Sequence, residues 1–166
     1  MGFLAVDVQY DEPADTAWVA GVWFAGWRDA VPTRADVRLH FGLTPYEPGH
    51  FYRRELPAIL ELVTESVDCG EVHTVLVDSY VDLGPSPGMG RHLYEALDGR
   101  VRVVGIAKRP FDEARPVEVL RGTSTRPLYV TATSDPAEAA EGVRAMHGVH
   151  RIPTLLKQVD ALARGR

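Results

Sequence analysis

The segment Phe3-Leu4-Ala5-Val6-Asp7-Val8-Gln9-Tyr10 is apolar along its whole length except at Asp7 and Gln9. Its length and its β-branched and aromatic residues predict a buried strand. A carboxylate inside such a strand is costly unless it is paired or bound to a metal ion. Asp7 therefore either pairs with an arginine or belongs to a functional site, and this segment alone leaves both readings open.

Two further strands follow the first after short connections. Asp11-Glu12-Pro13 turns the chain, residues 17–25 form an apolar run rich in aromatics, and residues 37–43 alternate apolar with polar side chains. Short connections between strands are typical of an antiparallel meander. The alternation in the third strand predicts that one of its faces is exposed.

The pattern then changes from strands alone to helices and strands in turn. Apolar residues recur at helical spacing from Phe51 to about Ser66, and the β-branched run from Thr74 to Val77 predicts a buried strand. Later segments predict helices over residues 91–97, 136–146 and 153–164 and strands over 101–107 and 128–132. This order predicts an α/β fold with a mixed sheet and helices on both of its faces. It is the element order of the ribonuclease-H-like fold.

Composition limits the class of protein. The chain has 166 residues, 45% of them hydrophobic, which fits one domain over residues 1–166 with an ordinary core. Its apolar stretches are too short for a membrane span, and Asp7 falls where a signal peptide would be apolar. The lone cysteine, Cys69, fits a reducing compartment, so we expect a cytoplasmic protein, with a monomer favoured.

The charge balance bears on the kind of partner. The net charge is -5, whereas nucleic-acid binding usually leaves a basic footprint. A site that gathers carboxylates for a metal is acidic by construction, so the balance does not exclude nucleic acid. The only two lysines are Lys108 and Lys157. Because lysine is so rare here, its presence after a strand, at Lys108, favours a specific role.

Three more residues could carry chemistry, and each has a structural alternative. Asp78 ends the strand Val75-Leu76-Val77, where it could ligate a metal or cap a turn. Glu55 lies in the first turns of a helix, where it could be a ligand or only complement the helix dipole. Lys108 could meet a phosphate or a developing oxyanion, or be a solvated strand-end lysine.

Other sites are less well supported by the sequence. The loop Gly84-Pro85-Ser86-Pro87-Gly88-Met89-Gly90 could cradle a phosphate, but it matches no phosphate-binding pattern, so an ordinary loop is favoured. The six histidines show no zinc spacing, and His147 and His150 lack cysteine partners. No G-x-S-x-G is present, and Cys69 has no obvious base, so nucleophilic catalysis by the protein is not expected.

Taken together in this order, the segments resemble the endonuclease V family over most of the chain, from Asp7 to Asp160. Val6-Asp7-Val8 is similar to the first catalytic strand of that family, Val77-Asp78 to its third ligand strand and Gly105-Ile106-Ala107-Lys108 to its lysine strand. His150-Arg151-Ile152-Pro153 with Asp160 resembles its closing motif. The most specific likeness is to a Pro-Tyr-x-Pro-Gly wedge followed by Phe, Arg and Glu, in the segment Pro45-Tyr46-Glu47-Pro48-Gly49-His50-Phe51-Tyr52-Arg53-Arg54-Glu55.

The resemblance implies a metal-dependent endonuclease that hydrolyses a phosphodiester in DNA, or in some members RNA, near deaminated adenine (inosine), as in DNA repair. It implies that Asp7, Glu55 and Asp78 hold Mg²⁺ or Mn²⁺ and that Lys108 assists in catalysis. It also implies that the loop around Tyr46 wedges beside the lesion, so that the expected nucleic-acid contacts are Pro45, Tyr46, Pro48 and Gly49.

The chain departs from the family pattern at several positions. Gly84 stands where the family has a histidine near the scissile phosphate, Ser79-Tyr80-Val81 replaces glycine-rich residues, and Thr133-Ser134-Asp135 replaces a Gly-His pair. Glu47 adds a carboxylate to the wedge. These departures keep two alternatives open. One is a divergent relative that binds nucleic acid or a nucleotide without cutting it, and the other is a partner-binding domain with a vestigial site.

Overall fold

The computed structural model describes residues 2–11, 13–42 and 52–165, and the side chains of all of these except 52–54. The strands are β1 (Gly2–Asp11), β2 (Thr16–Phe24), β3 (Arg34–Phe41), β4 (Val72–Val77), β5 (Asp82–Leu83), β6 (Ser86–Pro87), β7 (Arg102–Ala107), β8 (Val117–Val119) and β9 (Leu128–Ala132). The helices are α1 (Tyr52–Asp68), α2 (Met89–Ala96), α3 (Pro136–Ala145) and α4 (Thr154–Ala163), with a 3₁₀ turn at Asp112–Ala114.

Within the described residues, seven strands form one mixed sheet in the order β3-β2-β1-β4-β7-β9-β8. The pairs β1–β2 and β2–β3 are antiparallel, and β1, β4 and β7 run parallel to one another. The pairs β7–β9 and β8–β9 are antiparallel again. The prediction of an antiparallel three-strand meander followed by alternating helices and strands is confirmed.

The strand β1 separates two hydrophobic clusters by simple alternation. Phe3 and Ala5 pack with side chains of α3 and α4 on one face of the sheet, while Leu4 and Val6 pack with α1 and α2 on the other. This alternation follows from the two-residue period of a strand. The prediction of helices on both faces is confirmed, and no helix in the described residues is long and apolar enough to cross a membrane.

The sequence missed the short strands and some boundaries. β8 has three residues, too few for alternation to be recognised. β3 begins at Arg34 rather than Val37 because Arg34, Ala35 and Asp36 pair with β2 although they are exposed or half-buried. The helix α3 begins with a side-chain cap, since the Asp135 carboxylate accepts a hydrogen bond from the Ala137 N–H at 2.9 Å.

The loop predicted as a possible phosphate cradle is a β-hairpin, β5–β6, followed directly by α2. The backbone N–H groups of Gly88 and Arg91 donate to the Val81 carbonyl, and that of Gly90 donates to the Tyr80 carbonyl. A β-carbon at Gly88 or Gly90 would come within 3 Å of this backbone. The glycines therefore serve close packing, and these N–H groups are already engaged.

Gly105 allows the loop after Asp78 to cross β7 closely. A β-carbon there would lie 2.3 Å from the Ser79 carbonyl oxygen, 2.7 Å from Thr131 Oγ1 and 3.1 Å from the Val81 nitrogen. The Val81 N–H donates to Thr131 Oγ1 at 3.0 Å, so the loop is fixed at the crossing. No side chain fits between the loop and the strand.

We therefore expect Gly105→Ala to destabilise the fold by about 1–3 kcal/mol, as over-packing does elsewhere. Urea denaturation measures the difference. Gly26→Ala is the matched control, because its β-carbon would meet only Asp29 Oδ1, at 3.6 Å. Equal urea midpoints for the two variants would contradict this account of the crossing.

Candidate functional site

Two carboxylates lie side by side at the carboxyl ends of neighbouring parallel strands. Val6 of β1 pairs with Val77 of β4, so Asp7 and Asp78 are the next residues along the two strands. Val77 pairs in turn with Gly105 of β7, which brings Lys108 to the same edge. Ligand sites in sheets with parallel strands lie at this edge.

Glu55 reaches the same place from the first turn of α1. It lines one small pocket together with Asp7 and Asp78, and the rest of the lining is apolar, from Val6, Val8, Ile59, Val77 and Met89. A carboxylate among apolar side chains loses hydration, so ionisation of Asp7 and of Glu55 is unfavourable there.

The electrostatics reflect this crowding. Burial, followed by repulsion from Asp78, raises the pKa of Asp7 from 3.8 to about 7. Burial, followed by repulsion from Asp7 and Asp78, raises the pKa of Glu55 from 4.5 to about 8. Two strongly perturbed acids at one strand edge are typical of a functional site.

Lys108 partly compensates the negative charge. Its ammonium donates to Asp78 Oδ2 at 3.1 Å, and both side chains are about two-fifths exposed. Its backbone carbonyl accepts a hydrogen bond from the Arg151 guanidinium at 2.6 Å, and the same nitrogen donates to the Pro127 carbonyl at 2.8 Å. Arg151 thus ties the residues after β7 to those before β9 and fixes the backbone of Lys108.

Asp160 is a fourth carboxylate at this edge, and the sequence had indicated it only as part of the closing helix motif. α4 packs across β1 and β2, and Asp160 lines a second pocket with Asp7, Asp78 and Lys108. Burial alone would raise the pKa of Asp160, but hydrogen bonds from Arg164 and from Asp7 lower it. The Arg164 Nε donates to both Asp160 oxygens, at 3.0 and 3.1 Å.

Arg121 holds the segment that leads into α4. It is 5% exposed, and its guanidinium donates to the carbonyls of His150, Met146 and Gly148. These acceptors all lie between α3 and α4. A buried arginine that binds only carbonyls keeps this connection in place, and with it the start of the helix that carries Asp160.

The donor set fits a hard divalent cation, because Mg²⁺ and Mn²⁺ prefer carboxylate oxygens. As the side chains stand, no group of three or more His, Cys, Asp or Glu within residues 2–11, 13–42 and 52–165 is gathered into a metal-ligand cluster. Asp78 is turned to Lys108 and Asp7 to Asp160. Bound cation would replace the protons and ion pairs that now neutralise these acids.

The expected wedge residues Pro45, Tyr46, Pro48 and Gly49 lie outside the described residues. Gly84 lies within them, at the turn of the β5–β6 hairpin, with a φ of 66°. A β-carbon there would be 3.2 Å from Glu113 Cβ. The positive φ favours glycine at this position, and Glu113 leaves little space for a larger side chain.

Solved structures of known proteins share this architecture. The catalytic domain of human endonuclease V matches with a TM-score of 0.77 and 22% identity, over 99% of this chain and 81% of the other. The chain has the fold of endonuclease V. The enzyme from Streptomyces avermitilis matches with a TM-score of 0.76 and 21% identity, over 99% and 80% of the two chains.

A third match is Ciona intestinalis endonuclease V, in complex with a 24mer DNA containing an inosine followed by a ribo-adenosine. Its TM-score is 0.78 at 16% identity, over 99% of this chain and 84% of the other. No protein-family model and no curated protein matches this sequence. At these identities the endonuclease V structures establish the shared fold.

The raised pKa values predict how the stability of the metal-free protein depends on pH. Between about pH 4 and about 7 to 8 the folded state binds more protons than the unfolded state, so stability falls as the pH rises across this range and levels off above it. In EDTA at pH 9, Asp7→Asn should therefore be more stable than the parent by about 1–3 kcal/mol. Urea denaturation from pH 4 to 9 measures this.

The gain from Asp7→Asn should shrink as the pH falls, because the parent carboxyl is then protonated in the folded state. Glu95→Gln, at an exposed carboxyl of α2, serves as the control. If the free energies of unfolding of Asp7→Asn and the parent differ by the same amount across this range, the surroundings of Asp7 do not raise its pKa.

Gly84→His should not restore the histidine that the resemblance places at this position. The left-handed backbone disfavours any β-carbon, and Glu113 lies against it. We expect a loss of stability of about 1–2 kcal/mol and no increase in the single-turnover cleavage rate of an inosine-containing strand in Mn²⁺. Thermal denaturation and cleavage are measured on the same preparation, and faster cleavage by Gly84→His would contradict this expectation.

Proposed function

We propose that this protein is a metal-dependent endonuclease that hydrolyses a phosphodiester in nucleic acid containing inosine. The observation that carries the proposal is the convergence of Asp7, Glu55 and Asp78 at the ends of parallel strands, in the fold of endonuclease V. Burial and mutual repulsion make this arrangement unfavourable without protons or a cation. Buried acids with strongly raised pKa values cluster at functional sites, so we infer that these carboxylates are kept together for a function.

Asp7, Glu55 and Asp78 would hold Mg²⁺ or Mn²⁺, with Asp160 as a further oxygen donor beside Asp7. A bound metal supplies activation of water and stabilisation of charge on the displaced phosphate. Ligation requires the ionised carboxylates, so the proton shared between Asp7 and Asp160 must leave.

Lys108 neutralises charge at the same edge. Its ammonium pairs with Asp78, and it is two-fifths exposed, so it can turn to a phosphate oxygen of an arriving strand. Because Arg151 fixes the backbone of Lys108, only the side chain needs to move. An ordered ammonium close to the reacting phosphate stabilises developing negative charge with little reorganisation.

The substrate is proposed as DNA, with RNA as the other possibility, and the solved complexes of Ciona endonuclease V with inosine-containing DNA support that class. Tyr46, flanked by Pro45 and Pro48-Gly49, would act as a wedge beside the lesion. A rigid aromatic side chain inserted between bases helps a damaged base to leave the stack.

A second candidate is a relative that binds inosine-containing nucleic acid without cutting it. Gly84 favours this reading, because it offers neither a hydrogen bond nor charge and its hairpin is packed against Glu113. Positioned proton donors contribute about 10²–10⁴-fold to rate. A protein with its carboxylates and without such a group would bind and cut slowly or not at all.

Cleavage and metal binding by Asp7→Asn test the proposal. We expect the parent to cut an inosine-containing strand only with Mg²⁺ or Mn²⁺, and Asp7→Asn to lose both Mn²⁺ binding and cleavage while keeping its circular dichroism spectrum. Loss of one ligand carboxylate typically removes most of the metal affinity, whereas Asp11→Asn, on the exposed end of the same strand, should change neither.

Three outcomes separate the alternatives. If Asp7→Asn binds Mn²⁺ as tightly as the parent, the metal site is wrongly assigned. If the parent binds the strand and Mn²⁺ but never cuts it, the non-cleaving relative is the better account. If the parent binds neither, the endonuclease proposal fails.

A further inference from the structure

Two exposed arginines lie beside the carboxylate site. Arg109 follows Lys108 after β7, and Arg126 precedes Pro127 before β9. Since Arg151 binds the carbonyls of both Lys108 and Pro127, the segment after β7 and the segment before β9 are close together. Arg109 and Arg126 therefore belong to the same edge of the sheet as Lys108.

These arginines differ from many others in the protein. In the described part of the chain neither Arg109 nor Arg126 makes an ion pair, although the net charge of -5 offers carboxylates in excess. Six other arginines of the described residues are paired with acids, namely Arg34, Arg38, Arg91, Arg100, Arg144 and Arg164. Among the same described residues, Arg28, Arg102 and Arg115 are unpaired as well. Arg109 and Arg126 are therefore distinguished by their place beside Lys108. Uncompensated cations beside a cluster of acids are suited to an anionic ligand that arrives from solution.

Two aromatic side chains, Tyr80 and Phe111, lie next to these arginines. A cavity of about 260 Å³ is lined by Asp78, Tyr80, Ala107, Lys108 and Arg109. The Tyr80 hydroxyl donates to the Arg109 carbonyl at 2.5 Å and so fixes the backbone there. Phe111, 37% exposed, lies with its ring centroid 6.0 Å from that of Tyr80.

We propose that the surface formed by Lys108, Arg109, Phe111 and Arg126, which we call the arginine edge, binds the strand that flanks the cleaved phosphodiester. Arg109 and Arg126 contact two of its phosphates, and Phe111 contacts a base or sugar. The inference rests on the proposed function, because the edge adjoins the carboxylates and Lys108. A single-stranded nucleic acid can contact the cations at the ends of two neighbouring β-strands through its phosphates. It can contact the exposed ring through a base at the same time.

The experiment measures the salt dependence of binding. A fluorescein-labelled single strand with one inosine is titrated with the full chain in Ca²⁺, and its anisotropy is recorded from 50 to 200 mM salt. Each phosphate contact contributes about 0.7 to the slope of log K against log salt for a single strand. The double variant Arg109→Ala with Arg126→Ala should lower the slope by about 1.4 and weaken binding about tenfold or more at low salt.

Matched variants separate local contacts from general charge. Arg102→Ala removes the same charge at the first residue of β7, about 20 Å from Lys108 at the strand rise per residue, and should leave the slope unchanged. Arg109→Lys with Arg126→Lys should keep the parental slope. Phe111→Ala should weaken binding about tenfold without changing the slope, because stacking releases no counterions.

The outcomes are decisive for this surface. A lower slope in the double alanine variant, with the parental slope in Arg102→Ala, supports the arginine edge. An equal fall in slope in Arg102→Ala, or a parental slope in the double variant, overturns it and leaves the proposed function untouched. A parent that binds no strand at any salt overturns both.

Discussion

Asp7, Glu55 and Asp78 repel one another at the end of the parallel strands, and burial deprives the first two of water. Repulsion of this kind is tolerated in a folded protein only where other groups offset it. Lys108 pairs with Asp78, and Arg164 pairs with Asp160, which shares a proton with Asp7. Strand register and backbone contacts elsewhere in the fold keep these charges in place.

The scaffold achieves this through backbone contacts. The register of β1, β4 and β7 sets the spacing of the acids and of Lys108. Arg151 fastens the end of β7 to the start of β9, and Arg121 fastens the connection into α4. The two arginines bind carbonyls rather than carboxylates, so they act on the backbone segments that position the site.

The sequence predicted the element order because hydrophobic periodicity decides it, and β9 was found with its correct ends at Leu128 and Ala132. The ligand roles of Asp7, Glu55 and Asp78 stay a prediction, although their proximity is a property of the fold. Asp160 could not be recognised as a member of the cluster, because its place depends on how α4 crosses β1. Arg121 was not recognised, and Arg151 was recognised only as part of the closing motif, since a side chain that binds distant carbonyls leaves no pattern in sequence.

The resemblance to endonuclease V rested on short motifs, and the fold it implied is the one observed. The structure gives physical reasons for the positions at which the sequence departs from the family pattern. Gly84 occupies a left-handed turn, and Thr133 extends β9 by exchanging hydrogen bonds with Val103 through its N–H and hydroxyl. Glycine-rich segments that looked open to a ligand are filled by the backbone of the protein itself.

If the strained carboxylates form a cation site, Mn²⁺ must displace the protons that they hold, and calorimetry can count the protons released. Calorimetric titration of the parent at pH 6.5 in two buffers of different ionisation enthalpy gives the number of protons released. Because the pKa values of Asp7 and Glu55 are raised to about 7 and about 8, the account predicts release of about one to two protons per bound ion. Binding without proton release, or no binding at all, would contradict it.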